Sequence, residues 1–79
     1  MRLPRDLSGD DLVKKLRPFG YAPSRQTGSH VRLTNESPKG THHVTVPRHR
    51  ALRVGTLNSI LGEVAAHLGL DKAELVRRL

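Results

Sequence analysis

No cysteine occurs among the 79 residues, so neither a disulfide framework nor a thiolate metal site can be built from this chain. Aromatic side chains are almost absent, Phe19 and Tyr21 accounting for the whole 3%. The core is therefore expected to consist of Leu, Val, Ile and Ala, and aromatic platforms for stacking bases are not expected. No apolar run approaches the ~20 residues of a membrane-crossing helix. The Met-Arg-Leu-Pro opening carries no hydrophobic signal stretch, so the expected setting is the cytoplasm, with no membrane attachment. The chain is also too short to close two cores, and one domain spanning 1–79 is expected.

Acid is the other scarcity. Asp and Glu number 7 against 14 Lys and Arg, for a formal charge of +7, and ten of the cations are Arg. Such a surplus repels itself unless it meets a polyanion or an acidic partner, and the guanidinium fork matches phosphate oxygens. Nucleic acid is thus the leading partner class, with a solvated basic surface as the plain alternative.

The pattern along the chain describes helices around a small sheet. Ser8 is placed to cap a helix, with Asp10 and Asp11 at the positive end of its dipole and Leu7 stapled to Leu12. Leu12, Val13 and Leu16 share one face, and Pro18 stops the helix near Arg17. Tyr21 to Gln26 reads as a weak strand, with Pro23 arguing for an edge position or a late start. Gly28 supplies the backbone freedom of a tight turn. His30 to Thr34 then alternates, directing Val31 and Leu33 inward and His30, Arg32 and Thr34 outward. Asn35 to Gly40 reads as a second turn. His43 to Val46 follows as a strand with Val44 and Val46 inward, ended by Pro47. After a basic connector, Thr56 is the expected cap of the strongest helix, whose apolar stripe runs Leu57, Ile60, Leu61, Val64, Ala65 and Leu68 up to a C-cap at Gly69. Asp71 is expected to cap a short last helix through a box with Glu74. The fold class is α+β: a helix, a three-stranded antiparallel meander, a helix and a short C-terminal helix, with the helices on one sheet face.

The bare sheet face is the candidate site. A histidine exchanges protons near neutral pH. Among arginines it could activate a ribose 2′-hydroxyl for attack on the adjacent phosphate, a reaction that requires no metal. His30 and Arg32 share that face, with His43 beside them if the strand registers match. A lone outward histidine is otherwise an ordinary surface residue. Arg25, Arg48, Arg50 and Arg53 are further candidates for phosphate contacts. His42 and His43, adjacent on a strand, face opposite ways and make poor co-ligands with His49, so no metal site is expected. His67 falls on the polar flank of its helix and is expected to have no special role.

Three stretches, Gln26-Thr27-Gly28-Ser29-His30, Val44-Thr45-Val46-Pro47 and Val54-Gly55-Thr56-Leu57-Asn58-Ser59-Ile60-Leu61, resemble in order and spacing the HicA (YcfA-like) mRNA interferase toxins of bacterial type II toxin–antitoxin systems. The likeness covers roughly residues 8 to 70. It implies a double-stranded-RNA-binding-domain-like fold, endoribonuclease activity on mRNA without a cofactor, and inhibition by a HicB-type antitoxin protein. It places the family's essential histidine at His30 and its turn glycine at Gly28, beside Ser29. Pro18, Pro23 and the extra helix after Gly69 depart from the family pattern. Two other readings compete: a non-catalytic RNA-binding module on the same fold, and a DNA-binding helix-turn-helix formed by residues 64–79, with Gly69 in its turn.

Overall fold

The computed structural model describes residues 3–79. Its elements run α1 (Gly9–Leu16), a single 3-10 turn (Arg17–Phe19), β1 (Tyr21–Thr27), β2 (His30–Ser37), β3 (Gly40–Pro47), α2 (Val54–Leu68) and α3 (Lys72–Arg78). The strands form one antiparallel sheet in the order β1-β2-β3. The α+β arrangement expected from the sequence, helix, meander and two helices, is the one observed.

One apolar cluster joins the layers. Leu12 and Leu16 of α1, Val31 and Leu33 of β2, Val44 and Val46 of β3, and Leu57, Ile60, Leu61 and Val64 of α2 are all buried in it, with Leu75 of α3. Each such aliphatic side chain contributes roughly 1.5–3 kcal/mol on burial. Tyr21 corrects the all-aliphatic expectation, since it too is fully buried at the start of β1.

Local chemistry sets the element ends. Ser8 Oγ accepts from the Asp11 amide at 3.0 Å and the Asp11 carboxylate accepts from the Ser8 amide at 3.4 Å, a reciprocal capping box. Three expectations are corrected. The second turn is shorter than Asn35 to Gly40, because β2 continues to Ser37 and pairs it with Gly40. Helix α2 starts at Val54 with Arg53 at its N-cap and no side-chain cap, so Thr56 lies inside the first turn. Asp71 occupies the N-cap of α3 without a side-chain bond. Glu74 is drawn instead to Arg77 and Arg78 of the same helix, which satisfies its carboxylate and leaves no capping box.

Those ion pairs bear on the helix-turn-helix reading as well. Both arginines that would give α3 a basic recognition surface are engaged by Glu74, and the sheet, absent from that motif, supplies much of the core.

Candidate functional site

Gly28 and Ser29 form a two-residue loop between the paired residues Thr27 and His30. Gly28 has φ +56°, the positive value that the first central position of a type II′ hairpin turn requires and that a side chain disfavours. The loop is braced from the far side of the sheet, where the Arg48 amide donates to the Ser29 carbonyl at 2.6 Å. His30 thus begins the central strand, flanked by Thr27 on β1 and Pro47 on β3.

The next rung of the sheet is Arg25–Arg32–Thr45. A bulge between Pro23 and Arg25 makes this possible. Tyr21 and Pro23 pair with the inward residues Asn35 and Leu33, so strict alternation would have turned Arg25 inward too. Ser24, the extra residue, shifts the phase, and Arg25 and Thr27 emerge on the outer face. Proline within a strand was the visible signal of an irregularity there.

Arg25, Thr27, His30, Arg32 and Thr45 line one open hollow on this face. Neither arginine meets a carboxylate: among the described residues the ion pairs are Arg48–Asp10 and those of Glu74 with Arg77 and Arg78. The half-buried Arg32 also keeps Nε without a hydrogen-bond partner, which is costly for a donor shielded from water. The hollow therefore offers two unneutralised guanidinium groups and one imidazole. Chemically, it can bind an anion and move a proton beside it. Thr27 and Thr45 were not singled out as site residues from the sequence, although alternation had directed Thr45 outward.

The remaining candidates are dispersed. His43 shares the outer face but pairs with Thr34, four residues along β2 from His30, a separation of about 13 Å along the strand. Its Nδ1 lies 2.8 Å from Thr34 Oγ1. Arg48 leaves the hollow altogether. Its guanidinium forks onto Asp10 at 2.9 and 3.3 Å, and that hydrogen bond holds the Asp10 carboxyl below the usual carboxylate range. Arg48 instead lines a groove between α1 and β1 with Lys14, Arg17 and Gln26. Arg50 and Arg53 are exposed in the connector after Pro47, outside the hollow.

Beneath the sheet lies a polar cluster that sequence reading missed. His67 is half-buried and hydrogen-bonded rather than idle. Asn35 is 4% exposed, and its Nδ2 donates to the Phe19 carbonyl at 2.9 Å, which turns Oδ1 toward His67 Nε2 at 3.0 Å. The His67 ring stacks on His42 with centroids 4.8 Å apart, and His42 Nδ1 is 2.7 Å from the Tyr21 hydroxyl. Burial, with the neighbouring His67 charge, pushes the His42 pKa down, while burial lifts the Tyr21 hydroxyl to about 12. Among the described residues no group of three or more His, Cys, Asp or Glu is arranged to hold a metal ion and no helix is long and apolar enough to cross a membrane.

Comparison with known proteins gives one match. The family model described as the HicA toxin of bacterial toxin-antitoxin systems aligns with residues 9–70, a span that runs from the first residue of α1 through the sheet and past the end of α2. No curated protein and no solved structure matches the chain. With the helix, meander and helix in place and the matched span covering most of its length, the chain belongs to the HicA toxin family of bacterial toxin–antitoxin systems.

Proposed function

We propose that this toxin is an mRNA interferase, a metal-independent endoribonuclease in which His30 is the general acid/base. The observation that carries the reading is the cross-strand pair Arg25–Arg32, unneutralised by any described carboxylate, one rung from His30 on an open face. Like charges set directly opposite each other destabilise a sheet. A phosphodiester placed between them removes that repulsion and takes up the free Arg32 Nε.

In this position His30 accepts the proton of a ribose 2′-hydroxyl. The 2′-oxygen attacks the adjacent phosphorus, and the bond to the 5′-oxygen breaks. The arginines hold the two non-bridging oxygens as charge builds on them. The 5′-oxygen leaves with a proton from solvent and His30 returns its own to solvent, giving a 2′,3′-cyclic phosphate and a 5′-hydroxyl end. The nucleophile belongs to the substrate, so neither metal nor cofactor is needed. Gly28 and Ser29 aim His30, and Arg50 and His43 extend the contact with RNA. Arg48, committed to Asp10, steadies the turn through its backbone. A HicB-type antitoxin in the cytoplasm would silence the toxin by covering the same cationic face.

The test is a single-turnover incubation of purified protein with RNA in chelator, followed by end-group analysis. Cleavage leaving cyclic phosphate ends is expected. Fragments with 3′-hydroxyl and 5′-phosphate ends, or tight RNA binding without any cleavage, would refute it, the latter in favour of a non-catalytic RNA-binding module.

A further inference from the structure

Hydrogen-bond counting sets the tautomer of one ring on the outer face. Ser24 Oγ has a single proton and gives it to the Arg32 carbonyl, which can only accept, at 3.2 Å. Thr34 Oγ1, 2.6 Å from Ser24 Oγ, must then donate its own proton to Ser24. At its 2.8 Å contact with His43 Nδ1, Thr34 is left able only to accept. His43 therefore carries its hydrogen on Nδ1, and Nε2 holds a lone pair whenever the ring is neutral. The relay begins at Ser24, the bulge residue that also brings Arg25 to the outer face.

Charge is zoned along the same face. His30, Arg25 and Arg32 occupy one end, Ser24, Thr34 and His43 the middle, and Glu36, two residues beyond Thr34, the other end. A phosphate suits the first zone and is repelled by the last. The middle zone suits the uncharged parts of a nucleotide. His43 sits about 13 Å along the strand from His30, further than one phosphodiester group spans, so it meets a neighbouring nucleotide and not the scissile phosphate.

We propose that His43, held by the Thr34–Ser24 relay, is an acceptor that reads a hydrogen-bond donor on that neighbouring nucleotide, either a 2′-hydroxyl or an exocyclic base amine. The inference rests on the RNA-cleaving reading above and gives that reading a specificity-determining residue. His43 acts on recognition and takes no part in proton transfer at the cut. Thr34 and Ser24 are positioning residues.

The test uses a His30→Ala background, so that the RNA stays intact, at about pH 8, above the reference imidazole pKa of about 6.5. Long-range proton–nitrogen NMR is expected to show His43 protonated on Nδ1, and Thr34→Val is expected to release that preference. His43→Asn, which keeps a donor toward Thr34 but lacks Nε2, is expected to bind a mixed-sequence RNA oligonucleotide about 5-fold more weakly, the loss of one hydrogen bond. The difference between His43 and His43→Asn should vanish either on the 2′-deoxy oligonucleotide or on one built from uridine and inosine only, and which one identifies the donor. An Nε2–H tautomer in the parent would overturn the proposal. So would unchanged RNA affinity in His43→Asn and Thr34→Val when Arg32→Gln does weaken binding. If Arg32→Gln also binds unchanged, the RNA reading itself fails and this inference falls with it.

Discussion

Two guanidinium groups facing each other across a strand pair, with no carboxylate between them, oppose folding of the free protein. Arg25 and Arg32 are placed this way, and the Arg32 Nε lacks any partner. Substituting Arg32 by Gln removes the repulsion and the orphaned cationic donor, so thermal stability should hold or rise by about 0.2–1 kcal/mol. Cleavage should move the other way. Losing a charge-assisted bond of ~1.5–3 kcal/mol predicts a fall of roughly 10- to 100-fold in kcat/KM. An arginine of no function would leave cleavage unchanged, and a purely structural one would lose stability and activity together. Paired melting and cleavage assays separate these cases. His30 and Arg32 were legible in the sequence because apolar Val31 and Leu33 fix the alternation of β2. The direction of Arg25 was not, because it depends on a bulge whose phase shift exists only in the pairing of β1 with β2.

At the level of elements, the sheet is tied to its helices by a few polar contacts as well as by the aliphatic core. Asn35 links β2 to the 3-10 turn through the Phe19 carbonyl and to α2 through His67. Replacing Asn35 with Leu makes the interior more apolar yet should destabilise the fold by about 1–3 kcal/mol, because the Phe19 carbonyl loses its Asn35 donor and His67 Nε2 keeps only the longer 3.3 Å contact with Ser37 Oγ. Denaturant unfolding checks this, and a neutral or stabilising result would show that water replaces both bonds. The capping box at Ser8, the stripe of α2 and the C-cap at Gly69 could be read from local spacing, since caps and periodicity are written within a few residues. The start of α2 and the inward position of His67 could not. Helix α2 lacks a side-chain cap, and the acceptor that draws His67 inward lies on a strand 32 residues away.

Across the whole molecule, the stacked imidazoles couple stability to pH. In the folded chain the His42 pKa is depressed below its ordinary value of 6.5 by burial and by His67. Between that depressed value and 6.5 the unfolded chain binds more protons than the folded one, so stability is full above about pH 6.5 and declines as pH falls below it. The melting temperature should therefore drop between neutral and mildly acidic buffer, and His42→Gln should flatten the profile. A parent profile that rises or stays level over that interval would contradict the assignment. Catalysis by His30 is read out in the single-turnover RNA cleavage rate of His30→Ala beside its thermal melt. His30 is exposed, so the substitution should change stability by no more than about 0.5 kcal/mol, or roughly 2–4 °C for a chain of this size. Losing the general base should slow cleavage by at least about 100-fold. A variant that folds as well as the parent and cuts RNA at the same rate would rule out His30 as the general base.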